Sequence, residues 1–134
     1  MPAVLNTLLV VVAIAAFASL FTGAGFLVWL LPGGLPLGNA LTAIGLCAAG
    51  AAAIRLSPRG SFLRALSMFA LGSSLLWLPV SIVLAGNLEL NFSGHRGSVW
   101  IWMSIANFAT VLSALVWALV RSALTRNSSR NPAS

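Results

Sequence analysis

The sequence predicts an all-α integral membrane protein, a four-transmembrane-helix bundle with both termini in the cytoplasm. Three observations lead there. Apolar side chains make up 60% of the 134 residues and charged ones only 6%, against roughly 25% charged in an ordinary soluble domain. Residues 1 to 54 contain no charged side chain, a run far longer than the about 20 helical residues that one crossing needs. Helix-breaking clusters then divide the apolar sequence into four lengths that each suit a bilayer. A soluble core of this size has no room for so much apolar surface, whereas acyl chains accept an exposed leucine without penalty.

The first span is expected at 7–30 and ends in "LPGGLPLGN" (31–39), where Pro32, Gly33, Gly34 and Pro36 stop a helix and Asn39 can cap the next. "AFAS" (16–19) offers small residues of the kind a signal peptidase cuts. No positive segment precedes it, and the apolar run continues to Leu31, so the segment reads as a retained span. The second span is expected at 39–56. It stops at "RLSPRGSFLR" (55–64), in which Pro58 and Gly60 break the helix and Arg55, Arg59 and Arg64 require water or lipid headgroups.

The third span is expected at 62–85. Pro79 lies inside it and deprives the Leu75 carbonyl of its usual donor, which favours a kink, while Trp77 sits too deep for an interfacial belt and reads as a packing residue. "NLELNFSGHRG" (87–97) then forms the longer outer loop, and the fourth span is expected at 98–120. One membrane domain thus covers 1–122, and 123–134 form a basic, disordered cytoplasmic tail.

Charge sets the orientation. The net charge of +6 is seven arginines against Glu89: three arginines between spans two and three, three toward the C-terminus and one between spans three and four. Positive residues flanking spans are retained inside, which puts the termini and the 55–64 loop in the cytoplasm and 31–38 and 86–97 outside. Trp29, Trp100 and Trp102 fall near the outer interface and Trp117 near the inner one, as amphipathic rings prefer. Nucleic acid is not an expected partner, because the arginines are scattered over loops and tail without interleaved aromatics. The tail arginines suit anionic lipid instead.

Small residues spaced by four mark faces on which helices approach closely in lipid. Ala106, Thr110, Ala114, Ala118 and Ser122 form such a stripe, with Gly45, Ala49 and Ala53, and Ala15, Ser19 and Gly23, as shorter ones. Counting about 1.5 Å per residue places Ser19, Thr22, Ser73, Ser74, Asn107 and Thr110 near mid-membrane, a polar layer whose members meet only if the helices turn them toward one another. Interhelical hydrogen bonds there contribute about 0.6 kcal/mol each.

What is missing narrows the function. No Asp, Glu, His, Lys or Arg lies mid-span, where ion-coupled transporters usually keep one. Cys47 is single, and the lone His95 cannot pair for haem within one subunit, so no cofactor or metal is expected. Glu89, His95 and Arg96 gather in the outer loop, but catalysis there would need further groups to orient a base and bind developing charge. They read as a solvated connector that can contact a partner. "NFS" (91–93) and "NSS" (127–129) match glycosylation sequons, although an Ala- and Arg-rich chain without lysine resembles GC-rich bacterial sequence, where that modification is not routine.

The expectation is therefore a non-enzymatic protein of the bacterial cytoplasmic (inner) membrane. It associates with lipids and with other membrane subunits or itself, as an accessory subunit or a self-associating bundle. The alternative is a small transport or lipid-flipping component that uses the midplane polar layer.

Overall fold

A computed structural model describes residues 1–131 and contains four long helices: α1 (Pro2–Phe21), α2 (Leu37–Leu56), α3 (Phe62–Ala85) and α4 (His95–Arg130). Each is long and apolar enough to cross a membrane, and among the described residues there is no strand beyond a single isolated bridge. The protein is a multi-pass, four-helix membrane bundle. At about 1.5 Å per residue, the 20 residues of α1 or α2 span about 30 Å, the thickness of the hydrocarbon core.

The helices are not equivalent. α2 packs against α1, α3 and α4, whereas α1 has α2 as its main neighbour. Composition explains this placement: Gly45, Ala48, Ala49, Gly50, Ala52 and Ala53 are all buried, so nearly every face of α2 is smooth enough for another backbone to approach. A Cβ on Gly45 would stand 3.0 Å from the Ala16 methyl, and one on Gly50 would stand 3.0 Å from the Leu71 Cα. Leu46, Leu63, Val111 and Trp77 fill the spaces left between the small residues.

Three of the four helices depart from their expected bounds. α1 occupies 2–21 rather than 7–30, because Pro2 opens the helix at a position where its missing N–H is harmless and Gly23 turns left-handed at φ +61°. The chain then makes a short 3-10 helix (Gly25–Val28) and a tight turn in which the Leu31 N–H donates to the Leu35 carbonyl (2.8 Å) and the Leu37 N–H to that of Trp29 (2.7 Å). Asn39 does not cap α2, which begins at Leu37. Its amide reaches instead to the Leu88 carbonyl (3.1 Å) and ties the two outer connections together.

The third departure is at the other end. α4 runs 36 residues to Arg130, although disorder was expected from 123. Arg, Ala and Leu are good helix formers, the Thr125 and Ser129 hydroxyls fold back onto carbonyls of their own turns, and the helix ends only where Pro132 bars its predecessor Asn131 from helical geometry. Residues 132–134 of the expected tail lie outside the described residues. α3 passes through Pro79 as one continuous helix and ends at Gly86, left-handed at φ +75°, whose N–H closes the last turn on the Ile82 carbonyl.

Candidate functional site

Facing helices in lipid are held by hydrogen bonds wherever polar side chains recur on the contact line. α3 carries Ser73, Trp77 and Ser81 one turn apart, and antiparallel α4 answers with Asn107, Ser104 and Trp100. Three rungs result. The Trp100 indole donates to Ser81 Oγ (2.9 Å), the Trp77 indole to Ser104 Oγ (2.9 Å), and Ser73 Oγ lies 2.6 Å from Asn107 Oδ1. An indole N–H is donor only, and each serine supplies the acceptor it needs. Phe108 meets Trp77 edge-on at 6.3 Å, and Phe92 stacks on Trp100 at 4.9 Å, so an aromatic ring packs against each of the two indoles.

The lowest rung is incomplete. Asn107 is 6% exposed, yet its Nδ2 has no hydrogen-bond partner among the described residues. Ser73 has one hydroxyl proton and two acceptors near it, Asn107 Oδ1 and the Ala70 carbonyl (3.1 Å). Turning the amide over lets Ser73 donate to Ala70 while accepting from Asn107, and then the carbonyl end is left open instead. Either way one end of a buried amide is unsatisfied, a cost of about 1–3 kcal/mol.

Asn107 lies on a cleft of about 300 Å³ between α3 and α4, lined also by Phe69, Ser73, Leu76, Trp77, Met103 and Thr110. Phe69, Leu76 and Ala106 are exposed, so the cleft opens sideways toward lipid rather than into the bundle. Beside it, α4 shows lipid a patch of small side chains at Ala106, Ala109 and Ser113, with Thr110 half-buried among them. The other lipid-facing positions of this helix are mostly large, including Ile101, Trp102, Ile105, Leu112, Val116 and Trp117.

The expected polar layer is thus half assembled. Ser73, Asn107 and Thr110 meet at the cleft. Ser19 and Thr22 fall at the end of α1 rather than at mid-membrane, because that helix stops at Phe21, and they bond to the Ala15 and Ser19 carbonyls, while Ser74 turns inward onto Ala70. The expected contact face of α4 divides as well: Ala114 and Ala118 are fully buried in the core with Ala49 and Ala53, whereas Ala106 is exposed. The spacing of four was a true signal of packing only for the half of α4 that carries Ala114 and Ala118.

The outer cluster does not converge. Glu89 accepts from the Asn91 amide (3.0 Å), while His95 and Arg96 belong to the first turn of α4 rather than to the loop, and there is no ion pair among the described residues. Asn87 organises this connection by donating to the Asn91 and Ala85 carbonyls and accepting from the Asn91 N–H. Sequence reading overlooked the upper two rungs. The signal was present as Ser, Trp and Ser spaced by four on one helix, facing Trp, Ser and Asn on the next.

No protein-family model, curated protein or solved structure matches this chain.

Proposed function

We propose that this is a non-enzymatic protein of the bacterial cytoplasmic membrane, with both termini inside, that acts by helix association within the bilayer. It serves as a self-associating bundle or as an accessory subunit of a membrane complex. One observation carries the reading: a buried amide with an open end lies on a lipid-facing cleft, beside a patch of small residues on α4. Acyl chains offer that amide nothing, whereas a second helix lying on Ala106, Ala109 and Ser113 brings polar groups beside it, and a rotation of the buried Asn107 side chain toward the cleft completes the bond.

The occupant we favour is a second copy of this chain. An amide is donor and acceptor at once, so Asn107 facing Asn107 across a two-fold axis satisfies both copies with no other residue type. Met103, one turn before Asn107, lines the same cleft, and its unbranched side chain swings aside at little cost.

Energy transfer between donor- and acceptor-labelled full-length copies in lipid vesicles tests this. Wild type should transfer energy in proportion to acceptor fraction. Asn107→Leu and Ala106→Phe should reduce it at least severalfold, and Val11→Phe, on the lipid face of α1, should not. A lone monomer in vesicles, or undiminished transfer in both α4 variants, would rule the interface out.

The cleft also favours a second reading, a small transport or lipid-flipping component, because its open side admits a lipid chain and its floor holds Ser73, Asn107 and Thr110. Loss of lipid movement in Asn107→Leu vesicles with energy transfer intact would support it over helix association.

A further inference from the structure

At the opposite, arginine-bearing end of the bundle, Arg55, Arg59 and Arg64 line a single cleft of about 400 Å³ together with Ile54 and Ser57. It lies between the end of α2 and the start of α3, where both apolar spans end. Two of the three cations are held in place from behind. Arg64, half-buried in the first turn of α3, donates through Nη1 to the Ile54 and Ser57 carbonyls (3.1 and 3.4 Å), at the negative end of the α2 dipole. Arg55 donates through Nε to Asn6 Oδ1 on α1 (2.6 Å). Neither bond uses Nη2, and Arg59 is exposed and makes no hydrogen bond among the described residues.

Nothing in the described chain neutralises this cluster. The only carboxylate side chain, Glu89, is in the connection at the other end of the helices. Three guanidiniums around one cleft repel one another unless an anion joins them, and their unused N–H pairs match the paired oxygens of a phosphate. Immobilised Arg55 and Arg64 have already lost much of the rotamer freedom that binding would otherwise remove.

We infer that the Arg55, Arg59 and Arg64 cleft binds a phosphate group at the membrane surface, that of an anionic phospholipid in the setting this chain occupies. The inference is independent of the helix interface at Asn107. Positive residues here are more than a topology signal: two are anchored, and all three are gathered on one opening, which orientation alone does not require.

The test is native mass spectrometry of the full chain released from phosphatidylcholine nanodiscs doped with cardiolipin or phosphatidylglycerol. Wild type should retain an anionic lipid in preference to phosphatidylcholine. Arg59→Gln removes no contact within the chain and should weaken retention about fivefold, the equivalent of the about 1 kcal/mol an interfacial arginine contributes. Arg55→Gln with Arg59→Gln should weaken it about 25-fold on the same scale. Helical circular dichroism checks that both variants fold, and Arg64 is left intact because it caps α2. A control at the other end of the helices, Arg96→Gln, removes an exposed arginine far from the cleft and should change retention less than twofold.

Millimolar inorganic phosphate distinguishes the sources. Displacement of the lipid by it would mean a site open to soluble phosphates as well, and retention in its presence would mean one specific to lipid. The proposal is overturned if wild type shows no preference for anionic lipid and phosphate has no effect. Equal retention by the double variant, or an equal loss in the Arg96→Gln control, overturns it too.

Discussion

Gly50 and Gly72 lie on different helices, and their neighbours differ in a way that separates packing from propensity. A Cβ at Gly50 would meet the Leu71 Cα at 3.0 Å, its N at 3.1 Å and its Cβ at 3.2 Å, whereas one at Gly72 would meet nothing within 4 Å. Two of the three atoms facing Gly50 are backbone and cannot rotate away, so α2 and α3 must separate by a few tenths of an ångström. Gly50→Ala therefore carries an overpacking cost of about 1–3 kcal/mol. Both substitutions gain helix propensity, about 0.8–1.0 kcal/mol in water, and whatever part of this survives in lipid is common to the two. The difference between the variants thus isolates the clash: Gly72→Ala should be more stable than Gly50→Ala by about 1–3 kcal/mol. Equilibrium unfolding of the full chain in mixed micelles, titrated with a denaturing detergent and followed by circular dichroism, measures it. If the two variants agree within about 0.5 kcal/mol, the close approach of α2 to α3 is refuted.

The other predictions use similar measurements. A double-mutant cycle of Trp77→Phe and Ser104→Ala should give a coupling energy of about 0.6 kcal/mol, and no more than about 1.7, read by the same unfolding titration. Asn107→Leu should leave the monomer within about 1 kcal/mol of wild type, because the lost bond to Ser73 is offset by removing an unsatisfied amide; a loss above about 3 kcal/mol would mean the amide is satisfied in the native bundle. With Cys47 replaced by serine, a cysteine at Ser93 should react with an impermeant thiol reagent added to intact cells, and one at Thr125 only after the membrane is opened; the reverse pattern would invert the assigned orientation.

Architecture was legible in the sequence because the bilayer imposes it. Spans three and four are bounded by arginines and by the Gly-rich loop, which composition exposes directly, and α3 occupies the expected 62–85. The start of the outer hairpin was obscured because Gly23 and Gly25 sit in an unbroken apolar run. Hydropathy does not register that a left-handed residue ends a helix; φ at Gly23 does. The polar layer was half legible for a different reason. Counting residues gives depth only where the helix ends are known: α1 stops at Phe21 rather than at 30, so Ser19 and Thr22 fall at its end instead of mid-membrane and bond only to their own turns. Ser73 and Asn107, well inside α3 and α4, meet because those helices are adjacent and antiparallel. The cleft could not be read at all, since it depends on which side of the α3 and α4 pair is left uncovered.

Two kinds of adhesion hold this bundle, and they fail differently. α2 is held by proximity: its glycines and alanines let backbones approach, and with no polar atoms at stake a substitution there costs what its volume displaces. The upper half of the α3 and α4 pair is held by specific donors and acceptors, where volume matters less than whether every polar atom finds a partner. The ladder ends at Asn107, where the second kind of adhesion runs out of partners inside the chain just as α4 exposes its smallest side chains to lipid. A closed monomer would place leucine there, as α4 does at Leu115 lower in the core, and would lose little by doing so. Retaining an amide at that rung is explicable if its open end is completed by another molecule. The energy transfer measurement on Asn107→Leu, combined with the stability of the same variant, separates that explanation from simple wear in the core: association should fall while the fold holds.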